Sequence, residues 1–146
     1  MVARIYESLG GSPEIRTGPP IATRETRSSL QVEAISYLQL ARIEVKRCGA
    51  DVLEQVKTHL KELCLHGFEI IHLHLDLSEP WTAHLAGAFE DLGFFFSGLM
   101  PGAFPDGDAL ILQFLNKLAI PYDAIRVESE IAREMLAYIR ARDPNA

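Results

Sequence analysis

The chain has 146 residues, of which 48% are hydrophobic and 23% charged, and its formal net charge is −6 at pH 7. That length fits one domain able to bury roughly two-thirds of its unfolded surface, with no need for a disulfide or metal staple. The charge excludes nucleic acid as the main partner, because binding phosphates needs a basic face and the Lys and Arg here are scattered among more numerous acids.

The opening MVARIYESLGG has no basic n-region followed by an apolar h-region, so it does not read as a signal peptide. No apolar run approaches the roughly 20 residues that span a bilayer. Val2 to Leu9 reads instead as a short helix, with Ile5 and Leu9 four apart and Gly10-Gly11 ending it. The Pro-, Gly- and Thr-rich stretch SPEIRTGPPIATRETRSS follows. It predicts a loop with at most a short strand around Glu14 to Thr17, so residues 1–28 form a poorly specified helix and loop.

Leu30 to Val45 is rich in Val, Ile, Leu and Tyr, and reads as two strands, LQVEAI and YLQLARIEV, turning near Ser36. Helix is the alternative, since no glycine marks the turn. A clearer helix begins at the D-x-x-E pair Asp51 and Glu54 and stops at Gly67, with Val52, Val56, Leu60 and Leu63 along one face. Then FEIIHLHLDL alternates: Ile71, Leu73, Leu75 and Leu77 on one side of a strand, His72, His74 and Asp76 on the other.

Ser78 is placed to cap the next helix, with Glu79 and Pro80 in its first turn, Leu85, Phe89 and Leu92 inward, and Gly93 as its stop. Strand FFFSGLM, loop PGAFPDGD and strand ALILQFL predict a hairpin whose connection exceeds the tightest two-residue type. Residues 128–142 carry a C-terminal amphipathic helix from Ser129, with Ile131, Met135, Leu136 and Ile139 on one side. Strand–helix–strand crossovers favour a partly parallel, mixed sheet covered by helices, an α/β or α+β sandwich.

From Tyr37 to Leu115 the order ARIEV, DVLEQVKTHLKELCLHG, IIHLHLDL, WTAHLAGAFEDLG, FFFSG resembles the C-terminal half of the GNAT (GCN5-related) N-acetyltransferase fold. The resemblance implies one GNAT-like α/β domain over residues 1–146, a mixed sheet flanked by helices with an extra C-terminal helix. It implies acetyl-CoA or another acyl-CoA as a possible cofactor, held by a Gln/Arg-x-x-Gly-x-Gly/Ala loop. Here that loop is KRCGAD, which assigns the cofactor-binding positions to Arg47, Cys48, Gly49 and Ala50.

Two departures weaken the catalytic expectation. Asp51, as N-cap, is expected to place its carboxylate on the amides a phosphate needs and to repel the phosphate charge, with Lys46 and Arg47 compensating only in part. Phe89 stands where the family often has a tyrosine able to protonate a departing thiolate. Glu33 and Glu44 are the candidate general bases, although strand glutamates are more commonly solvent-facing.

The phrase GFFFSG, Pro101 and then LQFLN also resembles GNAT-like segments at the ends of large bacterial signalling proteins. That implies a degenerate acyltransferase-like module with a protein partner or adjacent domain, or a homodimer. An active N-acetyltransferase with an atypical pyrophosphate loop is the alternative.

A third reading places a metal on His72, His74 and Asp76, whose alternate positions present them to one side; a functional site needs at least three ligands. Cys48 and Cys64 match no zinc or redox spacing and read as reduced thiols, which points to a cytoplasmic location.

Overall fold

The computed structural model describes residues 1–12 and 26–146. The short strand expected around Glu14 to Thr17 lies outside the described residues. After α1 (Val2–Ser8), strands β1 (Ser29–Ile35) and β2 (Leu40–Arg47) run antiparallel, joined by a 3-10 turn at Ser36–Leu38. The two-strand reading holds, and the turn needs no glycine because Gln39 itself adopts the left-handed conformation at φ 50.

The chain continues through α2 (Val52–Leu65), β3 (Ile70–Asp76), α3 (Pro80–Asp91), β4 (Phe95–Phe104), β5 (Gly107–Leu115) and α4 (Glu130–Arg140). The strands form one mixed sheet in the order β1-β2-β3-β5-β4, with β2 and β3 parallel and every other pair antiparallel. The α/β class and the C-terminal helix are as expected.

The strict alternation in β2 and β3 decides how the sheet is covered. Ala41, Ile43, Val45, Ile71, Leu73 and Leu75 are buried on one face, with Leu110 and Leu112 of β5 and Phe96 of β4 in the same cluster. Val52, Val56, Leu60 and Leu63 of α2 and Trp81 and Phe89 of α3 complete it, and Ile5 of α1 and Tyr138 of α4 pack against it. All four helices therefore serve one sheet face. The opposite face carries cross-strand rungs such as Glu33–Arg42–His72–Gln113–Phe95 and Gln31–Glu44–His74–Ile111.

Both crossover helices stop by the same device. Gly67 and Gly93 take φ +83 and +94, and the following Phe68 and Phe94 amides donate back to the Leu63 and Phe89 carbonyls. Phe94 and Phe96 then join the main cluster while Phe95 is buried on the other face, so the triple phenylalanine is core on both sides.

Two local expectations fail. The β4–β5 connection is only Pro105-Asp106, because Phe104 already pairs with Gly107; register shifts between Phe96 and Gly98 and between Met100 and Phe104 absorb the surplus residues within the ladder. At the start of α3 the N-cap is Glu79, with Pro80 in the first turn, and Ser78 is not the cap.

Ser129 does cap α4, accepting from the Ala132 amide at 3.2 Å. The two terminal helices meet through a forked bond from Arg4 to Glu134, at 2.9 and 3.3 Å. Near the C-terminus the Tyr122 hydroxyl donates to buried Asp143 at 2.8 Å. Among the described residues no helix is long and apolar enough to cross a membrane.

Candidate functional site at the ends of two parallel strands

β2 and β3 pair only from Leu40–Ile70 to Glu44–His74. Beyond that rung each bonds to its outer neighbour alone, β2 to β1 as far as Arg47 and β3 to β5 as far as Asp76. The carboxyl ends of adjacent parallel strands are where open α/β sheets place ligands. Here they open a cleft of about 250 Å³. Val45, Lys46, Arg47 and Cys48 form one rim, Asp76, Glu79 and Trp81 the other, and Phe104 reaches in from the hairpin.

The first rim leads into the loop that the family resemblance assigns to a cofactor. Arg47 and Cys48 line the cleft, but Gly49 is turned to the chain itself: its amide donates to Ser28 Oγ at 2.8 Å. A methyl group on Gly49 would lie 2.7 Å from both the Arg27 carbonyl oxygen and the Ser28 nitrogen, so only glycine fits beneath that strap. Ala50 is an exposed turn residue beside it.

Asp51 does occupy the N-cap position, yet its side chain caps nothing, which corrects the D-x-x-E reading. Its carboxylate is diverted to the Ser28 amide and to Gln55 Nε2, each at 2.7 Å. These bonds, the one from Gln55 first, hold its carboxyl below the usual range. The obstacle to a phosphate is therefore Ser28, seated by Asp51, rather than Asp51 lying over the helix end. Burial, then the charges of Glu79 and Asp51, push the Cys48 thiol up to about 11, which favours the neutral thiol over the thiolate.

The second rim is built differently. Asp76 Oδ1 accepts from the Ser78 amide at 2.8 Å and from Ser78 Oγ at 2.7 Å. This local turn explains why Ser78 does not cap α3: its hydroxyl is spent on Asp76. Thr82 Oγ1 donates to the Asp76 carbonyl, which ties the end of β3 to the first turn of α3. Glu79 stays exposed at the mouth.

The candidate bases part company. Glu33 is exposed and ion-paired to Arg42. Glu44 is largely covered, ion-paired to Lys46, and lies beside His74 in the last rung before the strands separate. Phe89 is fully buried in the core, so its position offers the cleft neither a hydroxyl nor room for one.

His72 and His74 lie on one face with ring centroids 6.2 Å apart, while Asp76 is held by Ser78. Among the described residues no group of three His, Cys, Asp or Glu side chains is arranged to hold a metal ion. Burial above all, then Arg42 and His72, drive the His74 imidazole down to about 4, against a lesser opposing pull from Glu44. It is neutral at physiological pH.

Sequence reasoning missed Ser28 altogether, and missed the Tyr6 hydroxyl bond to Asp108 that ties α1 to β5. Neither partner pair shares a periodic element, so no spacing signal could have paired them.

No family model matches the sequence, and no curated protein matches it. Among solved structures the chain is similar to a spermidine N-acetyltransferase chimera of Vibrio cholerae SpeG and hSSAT, at 17% identity and TM-score 0.48 over 60% of either chain. It is also similar to a probable GNAT-family acetyltransferase from Chromobacterium violaceum, at 18% identity and TM-score 0.46 over 61% of this chain and 48% of that one. A third is nourseothricin acetyltransferase, at 13% identity and TM-score 0.45 over 60% of this chain and 56% of that one. The chain covers 60% or less of the length of each of these three.

Proposed function

We propose that this chain is a degenerate GNAT-like module, a sensory or interaction domain of bacterial signalling that has the acyltransferase scaffold without its chemistry. One observation carries the reading: Ser28 holds the Gly49 amide at the head of α2. A pyrophosphate at a helix start needs free backbone N–H groups and small residues around it. Arg47, Cys48, Gly49 and Ala50, the positions the resemblance assigns to the cofactor, do not fit acyl-CoA on that test. The loop has one glycine, and that glycine is packed under Arg27 and Ser28. Phe89 in the core supports the same conclusion, because no hydroxyl stands at the family's tyrosine position.

As a module the domain works through a protein partner, an adjacent domain or a second copy. Tyr37 and Leu38, exposed at the turn between β1 and β2, are apolar residues that such a contact would cover. The alternative, an active N-acetyltransferase with an atypical pyrophosphate loop, draws support from the cleft where β2 and β3 part, with Glu44 in the adjoining rung.

Calorimetric titration of acetyl-CoA and CoA into the full chain decides between them. The expected result is no saturable heat, and Phe89→Tyr leaves the protein inactive and less stable by burying a hydroxyl without a partner. Micromolar acetyl-CoA binding by the wild type, with acetyl transfer to an amine, overturns the reading.

A further inference from the structure

The cleft at the strand ends is divided by charge. Lys46 and Arg47 stand on the β2 rim and Asp76 and Glu79 on the β3–α3 rim. Both rims line the one cleft, with Cys48 on the first and Glu79 on the second. Val45, Trp81 and Phe104 supply buried apolar surface between them.

The acidic rim is preset. Ser78 fixes Asp76 through two bonds to Oδ1, and β5 begins so close that a methyl group on Gly107 would lie 2.7 Å from that oxygen. The volume, about 250 Å³, lies below the roughly 300–1,000 Å³ usual for drug-sized ligands, so the cleft suits a small metabolite.

We propose that this cleft binds a free α-amino acid with an apolar side chain. The carboxylate faces Arg47 and Lys46, sharing the Lys46 ammonium with Glu44, the ammonium faces Asp76 and Glu79, and the side chain lies against Trp81 and Phe104. A ligand with one charge satisfies one rim and leaves the other facing an unmatched group, so discrimination follows from needing both charges on one small molecule. The proposal deepens the sensory reading of the domain and rests on it.

The test is calorimetry on the full chain with L-leucine, L-methionine, L-valine and L-phenylalanine. L-leucinamide and 4-methylpentanoate serve as the probes lacking one charge. At least one amino acid should bind saturably, and where it is leucine both analogues should bind at least tenfold more weakly. Glu79→Gln should weaken the amino acid about fivefold and spare 4-methylpentanoate, and Lys46→Gln should weaken 4-methylpentanoate as well. Both side chains are exposed, so unchanged thermal melts establish that the variants fold. No saturable heat with any of the four, or an analogue matching its parent, overturns the proposal.

Acetyl-CoA titrated into the same sample separates the two readings. Amino-acid binding without acetyl-CoA binding supports both, and neither ligand binding overturns the amino-acid site alone. Both binding keeps the site and overturns the degenerate reading, while acetyl-CoA binding alone overturns both.

Discussion

The two strand-to-helix junctions that frame the cleft occupy equivalent places in the topology and are built in opposite ways. At the first, after β2, a distant strap reaches in: Ser28 takes the Gly49 amide and gives its own amide to Asp51. At the second, after β3, everything is local, with Asp76 and Ser78 two positions apart forming the turn and Pro80 opening α3. At the first junction the Gly49 amide is bonded within the chain, whereas the second presents carboxylates at its edge. Equivalent topology therefore does not carry equivalent chemistry; what reaches the backbone from elsewhere decides it.

The comparison breaks most sharply at Gly49. Gly49→Val should destabilise the protein by about 3 kcal/mol in denaturant unfolding, because the added carbons meet backbone at Arg27 and Ser28 that cannot retreat cheaply. A cost near zero would show that the strap does not press on this junction.

Next comes the rung that feeds both junctions. The folded-state pKa of His74 is lowered to about 4, below the usual value near 6.5, so the fold favours the neutral ring. Its contribution is fully present above pH 6.5 and is lost as pH falls from there through 4. Wild-type stability should decline over that window by on the order of 2 kcal/mol, and His74→Gln should flatten the decline. An unchanged acid limb in the variant would assign the loss to other groups.

At the second junction, Asp76→Ala removes both Ser78 bonds and should cost about 1.5 kcal/mol while leaving hydrogen exchange at the Gly49 amide unchanged. Ser28→Ala is the mildest change. It should cost about 1 kcal/mol and selectively speed exchange of the Gly49 amide, since the acceptor is gone and the backbone remains.

What was legible in the sequence was whatever repeats. The alternation of HLHLDL identified β3 and both of its faces, and the four-residue spacing of Val52, Val56 and Leu60 identified the buried side of α2. Gly67 and Gly93 marked both helix ends because a left-handed stop strongly favours that residue. Local competition was not legible. Asp51 and Ser78 both have capping chemistry, but each found a different partner, and sequence does not rank acceptors.

The β4 register shifts were equally hidden, because a bulge spends residues that read as loop. The cleft was half visible. KRCGAD pointed to its first rim, while Glu79 and Trp81 read only as helix start and Phe104 only as loop. Their convergence depends on where β2 and β3 stop pairing.

The fork between Arg4 and Glu134 spans 130 positions and gives α1 a partner far along the chain. A seven-residue helix cannot persist alone in water, since nucleation outweighs so few hydrogen bonds. Its hold on the fold comes from Asp108 of β5 and Glu134 of α4. The helical form of α1 is thus on loan from segments more than a hundred positions away, and loosening either contact should fray it while the sheet stays intact.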